Sequence, residues 1–260
     1  MTVVAAAAAP RQARALAGGA VRELAIAGTA ALVVAVPVGL VARLLMKVSA
    51  VAAGPGAAGT VTENGNVVGD LTLDGTAALI LFAGLASAGV GALVYRAAGP
   101  WLAAFGRARG AALGLAFLAL SGSSVIDPRS VDFARFGPAG LNVAMFVALF
   151  LATGVVLAPV VDAVGRAARA PSAPQLAGFA AGLAVSSLLL VSLVAPLATW
   201  ANSIVLSSGD VAALRTLAAL ALAIAARWTL GVTPLSYAIV AVPVVHGGLD
   251  LAGALRSLLA

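Results

Sequence analysis

The stretch Gly106–Pro138, GRARGAALGLAFLALSGSSVIDPRSVDFARFGP, decides the fold class. It opens on Arg107 and Arg109, crosses an apolar run from Gly110 to Ile126, and leaves through a polar loop holding Asp127, Arg129, Asp132 and Arg135. A basic entry, a span long enough to cross hydrocarbon and an acidic exit mark a membrane-crossing segment with its arginines inside. The pattern recurs on both sides of this stretch. The sequence therefore predicts an all-α protein, a polytopic transmembrane helix bundle of six or seven spans.

Composition agrees. The chain is 62% hydrophobic and 9% charged, with a mean hydropathy of +1.12; soluble domains carry about 25% charged residues. The net charge of +6 does not indicate nucleic acid, because Lys47 is the single lysine and the arginines are scattered rather than clustered on one face. With no cysteine, disulfides, zinc–thiolate sites and cysteine nucleophiles are excluded. Abundant Ala, Gly, Val and Arg points to a bacterial source.

Working outward, residues 1–23 form a cytoplasmic tail, since Arg11 and Arg14 follow the first apolar run instead of preceding it as in a signal peptide. Residues 24–260 form one transmembrane domain, with spans at 24–46, 76–95, 110–126, 139–161, 176–199 and 211–226. The segment 232–245 is a seventh span, or else a re-entrant piece followed by a surface helix, because Pro234 and Pro243 interrupt it. Trp101 and Phe105 suit the membrane interface. The loop 48–75 is long and polar, and its TVTENGNVV, with Asn64-Gly65 between β-formers, predicts a small extracytoplasmic β-hairpin over Val61–Val68. Arg11, Arg14, Arg22, Arg96, Arg107, Arg109, Arg166 and Arg169 fall on one side of the spans. Glu63, Asp70, Asp74, Asp127, Asp132 and Asp210 fall on the other. This places the N-terminus in the cytoplasm of a bacterial plasma membrane.

Two sets of residues stand out. Gly106, Gly110 and Gly114 in one span, and Gly178, Gly182 and Ser186 in another, recur every four positions. They form smooth stripes for close helix packing, within the chain or against a second copy or another membrane protein. The two stretches also align as a weak repeat at a spacing of 68 residues. The second set is polar: Arg43 lies about one turn inside the outer end of the first span, and Arg215 about 7 Å beyond Asp210. They snorkel to headgroups, pair with outer acids such as Asp74 or Asp127, or line an anion-attracting vestibule.

Other motifs lead nowhere. The lone His246 cannot hold a metal, and no cofactor is implied. Ser121, Ser123 and Ser124 raise an intramembrane Ser–His hydrolase with His246, but Ala119-Leu120-Ser121-Gly122 lacks the Gly-x-Ser-Gly of rhomboid-type proteases. Gly54–Gly59 matches a dinucleotide fingerprint in spacing only, with no strand before it or helix after it.

GLVARLLMKVSA (Gly39–Ala50), LTLDGTAALILF (Leu71–Phe82) and DPRSVDFARFGPAGLNVAMF (Asp127–Phe146) resemble a family of small polytopic membrane proteins of actinobacteria and related bacteria. The resemblance covers roughly the first 165 residues and implies membrane location without an established activity. The expected function is a non-enzymatic assembly or accessory component whose partners are the lipid bilayer and other membrane proteins. A small-solute or anion permease is the alternative, and a hydrolase a distant one.

Overall fold

An Ala-, Leu- and Val-rich run that carries through Pro10, Gly18-Gly19 and Pro37 gives α1, Val3–Ala52, a single helix of 50 residues. At 1.5 Å per residue it is about 75 Å long, more than twice a bilayer's hydrocarbon thickness; its membrane-compatible part is Ala17–Ala52. The computed structural model describes residues 3–57, 59–61, 67, 68, 70–128, 130, 136–202 and 207–259, with backbone alone for 3–16, 197–202, 208 and 228.

The second helical stretch begins with α2, Leu73–Leu79, capped by the Thr72 hydroxyl, which accepts the Gly75 N–H at 3.3 Å. It widens into a π-helical segment, Ile80–Ala86, and continues as α3, Ser87–Leu102. The widened part lies where the chain meets α1 at glycines. A Cβ on Gly39 would sit 2.5 Å from the Ile80 Cα, and one on Gly84 would meet the Ala35 backbone at 2.9 Å. Lipid offers no hydrophobic drive between helices, so this backbone-to-backbone approach supplies the cohesion through dispersion contacts.

After a 3₁₀ turn, Ala103–Ala108, come α4, Arg109–Ser121, and a short 3₁₀ turn, Gly122–Ser124. Gly106 sits at φ +53°, ψ −119°, a conformation that a side chain would resist. The chain folds back there: Gly91 and Phe117, about 39 Å apart on a straight helix, lie side by side, with a Gly91 Cβ 3.8 Å from the Phe117 ring. Four helices follow: α5, Ala139–Ala167; α6, Ala173–Asn202; α7, Ser208–Thr229; and α8, Pro234–Leu259.

Six helices are long and apolar enough to cross a membrane, counting the bent Leu73–Ser124 as one. The protein is an integral, multi-pass membrane protein. Its last stretch is neither re-entrant nor split, because α8 runs unbroken through Pro243, Gly247 and Gly248. The core joins Ile26, Ala30 and Val34 of α1 to Ala88 and Ala92 of α3, Leu113 and Leu120 of α4, Leu157 and Val161 of α5, and Leu220 of α7. Exposed Val33, Leu44, Phe82, Leu188 and Val191 face outward, as expected where lipid is the solvent.

No β-hairpin is observed among the described residues. Among these the loop holds one isolated antiparallel bridge, Val61 to Val67, extended only by bonds between Val68 and its neighbours Thr60 and Gly59. Residues 62–66, including Asn64-Gly65, lie outside the described residues. Ala57 and Val68 pack against Phe136 of the loop before α5, Ala50 of α1 and Ala53 just after it. The loop is thereby folded onto the helix end rather than left as a free-standing ribbon.

Candidate functional site

The polar groups gather at the two ends of the bundle. At one end, α1, the loop after it, the end of α2 with the π-helical segment, the loop after α4 and the first half of α5 enclose a chamber of about 300 Å³. Its walls are mostly apolar, including Leu71, Leu79, Met145, Phe146 and Leu149, and Arg43, Lys47 and Asp70 are also at its lining. One wall is held by a small polar knot. The Ser49 hydroxyl bonds the Asn142 Oδ1 at 2.7 Å and the Phe136 carbonyl at 2.9 Å, and Asn142 Nδ2 donates to that same carbonyl at 2.7 Å. Gly137, at φ +83°, makes the turn that brings this carbonyl in.

Arg43 is only 8% exposed. Its Nη2 donates to the Asp70 backbone carbonyl. Its Nε–H is sealed from water and has no partner among the described residues. Gly75 lets the guanidinium lie against the first turn of α2, because a Cβ there would stand 3.2 Å from Nη2. Asp74, one residue earlier, is exposed and makes no ion pair with Arg43 among the described residues. Arg43 thus turns into the protein, toward a carbonyl rather than a carboxylate.

Arg215 sits elsewhere. It is 7% exposed and pairs through Nη2 with Asp250 of α8, while Nη1 reaches the Leu120 carbonyl at 3.3 Å. A Cβ on Gly247 would come within 2.9 Å of the Arg215 Cδ, so that glycine gives α8 the clearance to pass. Arg43 and Arg215 therefore do not share a vestibule. Asp210 is spent locally, its carboxylate accepting the Ser207 N–H at 3.0 Å and the Ser207 hydroxyl at 2.7 Å in a capping box that starts α7. Asp127 lies in the loop after α4, where its carbonyl accepts the Ser130 N–H at 3.1 Å. His246 is turned to Asp250 at 3.6 Å with its side chain 67% exposed, and it makes no hydrogen bond with Ser121.

The small-residue stripes are largely spent inside the chain. A Cβ on Gly110 would meet the Val155 Cα at 2.9 Å, and one on Gly114 the Leu151 Cα at 2.8 Å, so α4 and α5 touch backbone to backbone. Gly182 closes on Ala25 and Thr29 of α1, opposite Gly28, and the Ser186 hydroxyl donates to the Leu24 carbonyl at 2.8 Å. The Thr29 hydroxyl reaches the Gly178 carbonyl at 3.1 Å, although the Gly178 Cα faces open space, and Gly106 is the turn described above. The two stripes meet different neighbours, so the 68-residue spacing does not correspond to a shared packing environment.

At the opposite end lies a polar basin of about 460 Å³ bordered by α1, α3, the start of α4 and the end of α5. There Arg96 clasps Glu23 through two bonds, and Arg109 meets Asp162 at 2.5 Å. The Tyr95 hydroxyl lies 3.2 Å from both Asp162 oxygens. Trp101, near this end, is buried rather than interfacial: its Nε1 donates to the Ser236 hydroxyl at 3.0 Å and ties α3 to the start of α8. Phe105 remains exposed.

Among the described residues no group of three or more His, Cys, Asp or Glu side chains could hold a metal ion. No family model, curated protein or solved structure matches the chain.

Proposed function

We propose that this membrane protein is a non-enzymatic accessory component that holds an anionic amphiphile, a molecule with one acidic head and an apolar tail, in the chamber beside Arg43. The observation that carries the reading is a buried cation that is in no ion pair among the described residues and feels the exposed Asp74 carboxylate only from a distance, with an orphaned Nε–H, at the edge of an apolar cavity. A stranded buried charge costs several kcal/mol, and an acidic headgroup would offset that cost while its tail occupied the walls of Leu79, Met145 and Leu149. A permease would need a path between the chamber and the basin at the other end. The packed core around Val34, Leu113 and Leu157 speaks against one.

The topology belongs to the same proposal. With the reversal at Gly106 the six helices make seven passes, the N-terminus lies in the cytoplasm of a bacterial plasma membrane, and the chamber opens on the outer side. The uneven placement of arginines and acids supports this orientation. Membership of the small polytopic family resembled by Gly39–Ala50, Leu71–Phe82 and Asp127–Phe146 is a further part of it and adds no activity.

The test is a titration of delipidated protein with oleate and, separately, with the uncharged monoolein. Oleate should bind at least about tenfold more tightly, a difference of about 1.4 kcal/mol, and Arg43→Gln should erase that preference. Equal binding of the two probes, or a preference that survives the substitution, would sink the reading.

A further inference from the structure

The basin at the other end carries more positive charge than its own structure uses. Five guanidiniums line it, those of Arg22, Arg96, Arg109, Arg166 and Arg169. Only two carboxylates oppose them, Glu23 and Asp162, leaving three positive charges uncompensated. The division of labour is clear from the contacts. Arg96 and Arg109 are committed to Glu23 and Asp162, whereas Arg22, Arg166 and Arg169 make no side-chain hydrogen bond or ion pair among the described residues.

These three come from two different helices, α1 and the end of α5. Arg22 is one turn before the core-facing part of α1, Arg166 is in the last turn of α5, and Arg169 follows in the turn after it. Gly165, beside Arg166, keeps the wall low where Arg96 passes, with a Cβ there 3.6 Å from the Arg96 Nη1. All three residues are exposed. They border one concave space, where like charges repel and the low-dielectric bundle beneath strengthens the field.

We propose that this basin is a binding site for a diphosphate group, two phosphates held close together. A single phosphomonoester brings about −1.5 to −2 charges and would leave part of the excess unmet, whereas paired phosphates match three arginines in both charge and number of acceptor oxygens. Arginine suits the role, since its planar fork bonds two phosphate oxygens at once. The two fixed ion pairs hold the walls: Glu23–Arg96 ties α1 to α3, and Asp162–Arg109 ties α5 to α4. Such a group reaches a membrane surface either in a lipid head or as a soluble diphosphate, and both present the same chemistry. The site is independent of the chamber beside Arg43.

The experiment uses the full chain in nanodiscs. One arm titrates inorganic pyrophosphate against protein in phosphatidylcholine discs. The other compares retention of farnesyl diphosphate, a lipid-linked diphosphate, with retention of phosphatidylcholine by native mass spectrometry. Binding in the first arm alone identifies a soluble diphosphate as the source, and retention in the second alone identifies the lipid. In either arm, Arg166→Gln/Arg169→Gln should weaken binding at least tenfold, and Arg22→Gln should weaken it severalfold. These side chains hold no structural partner, so the variants keep their fold. Arg256→Gln, outside the basin, should leave binding unchanged and so separates the site from general surface charge. Absence of binding in both arms, or an equal loss with Arg256→Gln, overturns the proposal.

Discussion

Replacing Asp250 with Asn leaves the Arg215 guanidinium in place and removes the one carboxylate paired with it among the described residues. The Arg215 side chain is 5% exposed and that of Asp250 is 43% exposed. Breaking a fully buried pair from one side costs about 3–5 kcal/mol, and an exposed pair contributes about 0–1 kcal/mol. This pair lies between the limits, with a sealed cation and a half-open anion, and the Leu120 carbonyl at 3.3 Å still accepts from Arg215 afterwards. A loss of about 2 kcal/mol follows, roughly a thirtyfold shift in the unfolding equilibrium. Removing both charges with Arg215→Met/Asp250→Leu strands neither partner and should cost less than about 1 kcal/mol. Reversible unfolding in mixed micelles at increasing SDS fraction, followed by tryptophan fluorescence, measures both variants. A change below about 0.5 kcal/mol in Asp250→Asn, the range of ordinary surface substitutions, would refute the reasoning. So would a double variant less stable than the single one.

The same assay separates glycines that are packed from those that are not. Gly154→Val drives a side chain into the Gly114 backbone, 2.7 Å from a Gly154 Cβ, and should cost about 1–3 kcal/mol. Gly178→Ala meets no atom within 4 Å and should leave stability unchanged. Gly106→Ala forces a side chain into the positive-φ turn between α3 and α4 and should lower stability by about 1–2 kcal/mol; no change there would mean that the turn does not need glycine.

Membrane class and most helix positions were legible because lipid demands long apolar runs, and such runs survive any detail of packing. The Gly110/Gly114 and Gly182/Ser186 stripes were equally plain, since a four-residue repeat of small side chains has one geometric meaning. Their partners were not plain: Gly28 and Gly154 stand outside the four-residue repeats of small residues on their own helices, Ala27/Ala31/Ala35/Gly39 and Gly140/Ala144/Ala148/Ala152. Asp250 escaped notice for a different reason. Two prolines left the last stretch open between a span at 232–245 and a re-entrant piece followed by a surface helix, and neither reading puts Asp250 inside a span. Once α8 is one helix, an acid four residues after His246 inside an apolar span is a clear signal for a buried cation nearby. Asn64-Gly65 reports only a local turn preference, whereas the placement of Val68 depends on Phe136, far along the chain. Arg43 was marked from its position alone; that it turns toward the Asp70 carbonyl depended on a loop whose path no periodicity encodes.

The central claim is that the protein holds its ligand in a chamber at one end of a bundle whose middle is dry. Because the chain has no cysteine, single substitutions can be labelled without background. Met145→Cys in the chamber, Leu113→Cys in the core and Gly165→Cys at the basin, each in sealed vesicles, would be treated with a charged, membrane-impermeant thiol reagent from one side and then the other. The account predicts that Met145→Cys labels only from outside, Gly165→Cys only from the cytoplasmic side, and Leu113→Cys from neither. Labelling of Leu113→Cys from either side would reveal a hydrated path through the bundle and contradict the claim in favour of a permease.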